Sequence, residues 1–255
     1  LEKALKDVRR LADADTIPEG DVLSLLGVAQ FMESQTQGRS GALVMKRIRA
    51  ALRLRFAARK TALARAISDL GEHISATVPR RVYLSHRLPP VVVLTDAAAE
   101  TSGVTLGAVI ADKVTGTCEF WAAVVENSTV ETWKAEGKRQ VIGQAELLAV
   151  PVALATWEKV LRNRDVLVFI DNDSATACLV RGNAIAAHSD EIANEARLIS
   201  AQFGCACWYD RVPSPSNPAD LPSRGLKGEL RAQGFTEVPW RLNARLSALC
   251  ELGVA

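Results

Sequence analysis

Apolar residues recur along the first third of the chain at the spacing of a helix face. Met45, Ile48, Leu52, Phe56, Leu63, Ile67 and Leu70 return near the 3.6-residue period, which predicts one buried side. Upstream, DVLSLLGVAQFM carries a second short apolar pattern, and TQGRSG interrupts it with turn-forming residues. Residues 1–80 are therefore expected to be helical. Pro79 and the polar HRLPP of 86–90 close the region and mark a boundary.

Past Pro90 the pattern changes to that of strands. VVVLTDAAAE, VTLGAVIAD and TCEFWAAV are β-rich runs separated by glycine-containing turns, which predicts an antiparallel meander. ENSTVETWKAEGKRQ, at 126–140, reads as a polar loop. A helix is expected next, with Ile142, Leu147, Val150 and Leu154 on its apolar side and Pro151 kinking it or ending an early turn. DVLVFIDN is a nearly continuous apolar run, as in a strand covered on both faces.

A short helix follows, capped by Asp173 or Ser174, then a longer one from a Ser189 cap to a Gly204 stop. CACWYDRV makes the last strand, and residues 226–255 look loosely helical. The order βββαβααβα is an α/β layout with a mixed sheet.

Composition changes this picture little. Hydrophobic residues make up 48% and charged residues 24% of the 255 residues, as in ordinary globular proteins. No apolar run approaches the roughly 18 residues of a membrane span, and the charged start LEKALKDVRR is not a signal peptide. The first residue is Leu rather than Met, as in a piece of a longer polypeptide.

Cys118, Cys178, Cys205, Cys207 and Cys250 are an odd number without CxxC spacing. They read as reduced thiols of an intracellular protein of the cytoplasm or nucleus, not a secreted one. Cys205 and Cys207 would share one face of a strand, where packing is the expected role.

Net charge is only +2, but its distribution is uneven. Between Lys46 and Arg65 lie eight basic residues, Lys46, Arg49, Arg53 and Lys60 among them, and no acidic one. Such a run is either a solvated helix face or a track for a nucleic-acid backbone.

The chemistry lies in four carboxylates. Asp96 ends the first strand, Glu146 stands early in the helix after the meander, Asp171 ends the fourth strand, and Asp220 precedes the last helix. If the first and fourth strands are parallel neighbours, Asp96 and Asp171 emerge side by side at the edge where α/β sheets bind ligands. A helix across the sheet would bring Glu146 over them, and Asp220 would close the cluster.

Taken singly, each acid has a plainer role as a turn residue, a cap or a first-turn charge. Together they raise one another's pKa unless divalent cations neutralise them. An all-carboxylate set suits Mg²⁺ or Mn²⁺ and phosphodiester chemistry.

These segments resemble the ribonuclease H family over roughly residues 90–225. TDAAAETSGVTLGAVIAD is similar to its first hairpin, QAELLAVPVAL to its glutamate helix, FIDNDSATACLV to its fourth strand and following helix, and SNPADLPSRG to its final aspartate segment. The ribonuclease H domains of long-terminal-repeat and DIRS-type retroelement reverse transcriptases are the nearest variants, and LSLLGVAQFM resembles the thumb or connection region that precedes them.

The resemblance implies a mixed five-stranded sheet flanked by helices and preceded by a helical segment. Its parts would be residues 1–88 as thumb or connection, 89–226 as the ribonuclease H-like domain and 227–255 as a tail. It further implies an endonuclease that hydrolyses the RNA strand of RNA–DNA hybrids with two Mg²⁺ ions, replaceable by Mn²⁺. Asp96 would bridge the ions, and Glu146, Asp171 and Asp220 would complete their shells. The partner would be the polymerase portion of a longer polyprotein; no membrane is involved. The 2′-hydroxyl would identify the RNA strand.

Two departures from the family stand out. Many members carry a histidine shortly before the last aspartate, whereas this chain has VPSPSNPAD, with His188 well upstream. Pro151 interrupts the glutamate helix. No YxDD occurs in these residues, so polymerisation is not expected of them. The alternative to a nuclease is a catalytically inactive domain of the same fold that binds nucleic acid or serves structure.

Overall fold

In the computed structural model the change of pattern near Pro90 is a change of architecture. The structure describes residues 2–35, 41–76, 79, 88–101, 103–135, 141–182, 184 and 186–255. Most of the TQGRSG interruption, the start of HRLPP, the end of the 126–140 segment and the Phe56 side chain lie outside the described residues. Two compact units divide the chain, Leu1–Val82 and Tyr83–Ala255.

The first unit is helical: α1 (Glu2–Ala12), α2 (Glu19–Ser34), α3 (Ala42–Leu52) and α4 (Phe56–Ala76). Leu11, Val22, Ile48, Leu63, Ile67 and Leu70 form its core. The period from Met45 to Leu70 does not run along one helix, because the chain breaks between Leu52 and Phe56. The break falls in a run of exposed residues, Arg53, Leu54 and Arg55, so the apolar face is shared by two helices that pack on each other.

The second unit is built on β1 (Val91–Glu100), β2 (Gly103–Asp112) and β3 (Thr117–Val125), an antiparallel meander. There follow α5 (Asn127–Ala135), α6 (Ile142–Thr156), α7 (Glu158–Leu161), β4 (Asp165–Ile170), α8 (Asp173–Arg181), α9 (Ala187–Phe203) and β5 (Ala206–Arg211). A 3₁₀ turn at Ser214–Ser216, α10 (Asp220–Ser223), α11 (Lys227–Ala232), β6 (Thr236–Glu237), α12 (Ala244–Leu249) and β7 (Leu252–Val254) complete it.

The five long strands lie in the order β5-β4-β1-β2-β3, with β4 parallel to both β1 and β5. This is the mixed α/β sheet expected, with the first and fourth strands as parallel neighbours. Two short strands enlarge it to seven: β6 and β7 both pair with β3. At two and three residues they are too short to show a period, and the sequence reads there only as loosely helical.

The expected polar loop after β3 contains α5, whose Val130 and Trp133 are buried. Two apolar residues three apart suffice to seat one turn against the core, although the surrounding residues are polar. Helix α6 continues through Pro151 to Thr156. It is buried along Gln144–Leu154, between the sheet and α9, and that packing outweighs the hydrogen bond proline cannot make.

The cap of α8 is Asn172, one residue before Asp173, the first of the two expected caps, and its side-chain oxygen accepts from the Ala175 N–H at 3.0 Å. Helix α9 starts two residues before Ser189 and stops, as expected, at Gly204, whose φ of 65° suits glycine. None of the five cysteines is in a disulfide, and the Cys205 and Cys207 sulfurs lie 3.7 Å apart against the core. Among the described residues no helix is long and apolar enough to cross a membrane.

Candidate metal centre

Alternation along β1 divides its side chains between two layers. Val91, Val93 and Ala97 face the main core with α6, and Leu94 joins the smaller cluster of Val109, Phe120 and Ala219 on the other face. Asp96 falls on the side of α10. It lies in the middle of β1, not at its end as the run VVVLTD suggests, since β1 goes on to Glu100. What ends there is the neighbour: the β1–β4 ladder stops at the pair Thr95–Ile170.

One residue further on, just past the end of that ladder, stand Asp96 and Asp171. There Glu146, about one turn into α6 on the opposite face, reaches the same point. Ligand oxygens of Asp96, Glu146 and Asp171 all lie within 4.8 Å of one another.

Asp96 and Glu146 are 2% and 3% exposed. Burial, the largest influence, pushes the Asp96 carboxyl up to about 7, with the charges of Asp171 and Asp220 adding to it and the Ser223 hydroxyl opposing. Burial likewise pushes Glu146 up to about 10, reinforced by the charges of Asp96 and Asp171. Glu146 Oε2 is buried without a hydrogen-bond partner. A buried polar oxygen left without a partner costs about 1–3 kcal/mol even on a neutral carboxyl, and ionising Glu146 beside two other acids would cost more.

Those residues fit a divalent cation. The donor set is all oxygen, as Mg²⁺ and Mn²⁺ prefer, and a cation would give the orphaned Glu146 oxygen its missing partner.

Asp220, the fourth acid, stands beside this group, close enough for its charge to bear on Asp96. It is not one of the three that converge. Its Oδ1 accepts from Arg224 Nε at 2.6 Å, and Arg224 also faces Glu100 at 3.7 Å. Asp96, Glu146, Asp171, Ser214 and Arg224 line an open cleft of about 660 Å³.

Several residues at the site have no signature in the sequence. Ser214 Oγ donates to Asp171 Oδ2 at 2.9 Å, from the VPSPSNPAD segment that precedes Asp220. Ser223 Oγ donates to Asp96 Oδ2. Asn217 Nδ2 donates to the Thr95 carbonyl at 3.0 Å. The one signal available was spacing, since Ser223 and Arg224 follow Asp220 by a single helical turn and share its side.

Gly107 faces Asp96 across the β1–β2 ladder. A Cβ there would stand 2.5 Å from the Ser223 nitrogen and 2.7 Å from the Ala219 carbonyl, so only glycine lets α10 lie on β2.

The basic residues belong to the helical unit. Lys46, Arg49, Arg53 and Lys60 are exposed, on α3, the turn after it and α4. Part of the positive charge in this stretch is met locally: Lys60 faces Asp15 at 3.3 Å, Arg59 faces Glu19 at 2.7 Å, and Arg47 faces Asp69 at 3.8 Å. Arg49 donates to the Gln30 side chain at 3.3 Å.

No protein-family model and no curated protein matches this sequence. Among solved structures, the chain is similar to ribonuclease H1 from the halophilic archaeon Halobacterium salinarum NRC-1, at 16% identity and a TM-score of 0.42, over 55% of this chain and 99% of that one. It is also similar to the N-terminal ribonuclease H domain of rv2228c from Mycobacterium tuberculosis, at 18% identity and a TM-score of 0.39, over 57% of this chain and 98% of that one.

Proposed function

We propose that this chain is a divalent-metal-dependent endonuclease that hydrolyses the RNA strand of RNA–DNA hybrids, as the ribonuclease H part of a retroelement reverse transcriptase. The observation that carries the reading is the convergence of Asp96, Glu146 and Asp171 within 4.8 Å, with the buried Glu146 Oε2 unpartnered. Such a set is destabilising in a protein with no cation to bind and useful in one that has it.

Asp96, Glu146 and Asp171 would hold Mg²⁺ or Mn²⁺, with Asp220 reaching the same centre once released from Arg224. Bound there, such ions lower the pKa of water and neutralise charge developing on a phosphate. The chain's own contribution is placement. Strand β1 fixes Asp96 through its ladder to β2, and α6 carries Glu146 rigidly because most of its surface is buried. The open cleft admits a polynucleotide backbone, and Arg224 at its side offers a guanidinium suited to a phosphate. The exposed Lys46, Arg49, Arg53 and Lys60 would contact further phosphates of the duplex.

The test is to incubate end-labelled RNA–DNA hybrid with the protein and Mg²⁺, beside double-stranded RNA, single strands and an EDTA control. Cleavage confined to the RNA of the hybrid and abolished by Asp96→Asn is the expected result. Hybrid binding with no cut in Mg²⁺ or Mn²⁺ would make the chain a binding domain instead.

A further inference from the structure

The carboxylate plane of an aspartate is poorly fixed by its own torsions, since rotation about χ2 is broad. Asp96 therefore needs a neighbour to set which way its oxygens face. We infer that Ser223 is the positioning residue that fixes the Asp96 carboxylate for cation binding, an assignment that rests on the metal-centre reading above.

Ser223 is 1% exposed, and its hydroxyl has two acceptors in reach, Asp96 Oδ2 and the Asp220 carbonyl at 3.0 Å. A hydroxyl has one proton, and a charged acceptor wins it over a neutral one. The hydroxyl can do this because the backbone around it is held from three sides. The Ser223 carbonyl accepts from Thr105 Oγ1, the Ser223 N–H donates to the Ala219 carbonyl at 3.2 Å, and Gly107 leaves room for both. Thr105 and Gly107 belong to β2, the strand paired with β1, so the serine is referenced to the same ladder that carries Asp96.

The choice of serine is chemically particular. A carboxylate offers about four lone-pair directions. A hydroxyl occupies one of them and leaves the full negative charge for a cation. A lysine or arginine there would orient the group equally well but cancel its charge, as Arg224 does for Asp220.

Outer partners of this kind typically change metal affinity by about 10–100-fold when removed. Mn²⁺ binding to the full chain, followed by the EPR signal of free Mn²⁺, measures the effect without recourse to activity. Ser223→Ala is expected to weaken Mn²⁺ binding by roughly tenfold or more, measured well below the EDTA unfolding midpoint of each protein so that both are folded, and Ser223→Thr to restore it. If Ser223→Ala does not fold, Ser223→Cys, close in volume and a weaker donor, takes its place with the same expected direction.

Ser223→Ala binding within about twofold of wild type, or Ser223→Thr binding no better than Ser223→Ala, overturns the assignment. Failure of the wild-type chain to bind Mn²⁺ at all overturns the metal centre itself, and the assignment with it.

Discussion

Replacing Asp96 with Asn should make the metal-free protein more stable while removing its proposed chemistry. In the folded chain the Asp96 carboxyl titrates at about 7, against an ordinary value of 3.8. Over that interval the folded state keeps a proton that the unfolded chain has lost, so stability falls as pH rises and levels off above about 7. At about 1.36 kcal/mol per unit, the ceiling of the penalty near pH 8 is about 4 kcal/mol, and near pH 4 it is about 0.5 kcal/mol. Relaxation of the site and water entry reduce the larger figure, and about 2–4 kcal/mol is a reasonable expectation.

Asparagine is nearly isosteric and carries no charge, so the variant should escape the penalty. For a unit of this size each kcal/mol moves the midpoint by about 2–4 °C, which makes the expected gain roughly 5–15 °C at pH 8 and little at pH 4. All five tryptophans lie in the second unit, so fluorescence-detected melting in EDTA follows that unit within the intact chain. An Asp96→Asn midpoint at pH 8 equal to or below that of wild type would refute the inference of buried repulsion.

Three other outcomes follow from the same geometry. Saturating Mg²⁺ or Mn²⁺ should raise the wild-type midpoint, by about 2.7 kcal/mol at a hundredfold excess over Kd, and should do nothing for Asp96→Asn; equal shifts in both proteins would place the binding elsewhere. Arg164 Nη2 meets buried Asp112 at 2.9 Å; burial alone would raise that carboxyl, but hydrogen bonds from Arg164, Thr115 and the Val114 N–H together hold it at about 2. Arg164→Ala should therefore cost about 3–5 kcal/mol at neutral pH, measured by urea unfolding, and the difference from wild type should shrink as pH falls from about 4 toward 2. Replacing Lys46, Arg49, Arg53 and Lys60 together with Ala should flatten the salt dependence of hybrid binding by about 0.9 in log–log slope for each phosphate no longer neutralised. An unchanged slope would return these residues to the role of a solvated face.

What the sequence made legible was whatever a local pattern can encode. The unbroken apolar run of β4, the glycine-punctuated β1–β3 meander and the period of α6 each announce an element, and an acid placed in each announces the site. Hidden from it were relations between distant segments. Ser223 and Asp96 are 127 residues apart, and Asn217 and Thr95 are 122, so no window of sequence contains either pair.

Gly107 reads as an ordinary strand glycine until α10 is laid on it. The mid-strand place of Asp96 is hidden from the sequence for a related reason. A strand's own sequence tells where its apolar run ends, but here the functional boundary is where its neighbour stops. Helix α5 escapes the sequence because Val130 and Trp133, which seat it, are only two large apolar residues in a polar stretch.

The last thirty residues have a bearing on solubility that their small size conceals. Strand β3 is the outer member of the meander, and without β6 and β7 its edge would offer a row of unpaired amides and carbonyls beside the buried Phe120 and Trp121. Open edges of that kind recruit strands from other molecules. Two short pairings, with Lys227 Nζ donating to the Ala255 carbonyl at 2.7 Å, thus act as a guard on the sheet's flank. Chains ending at Gly225 would keep every carboxylate of the proposed centre and lose the protection that keeps them apart from one another.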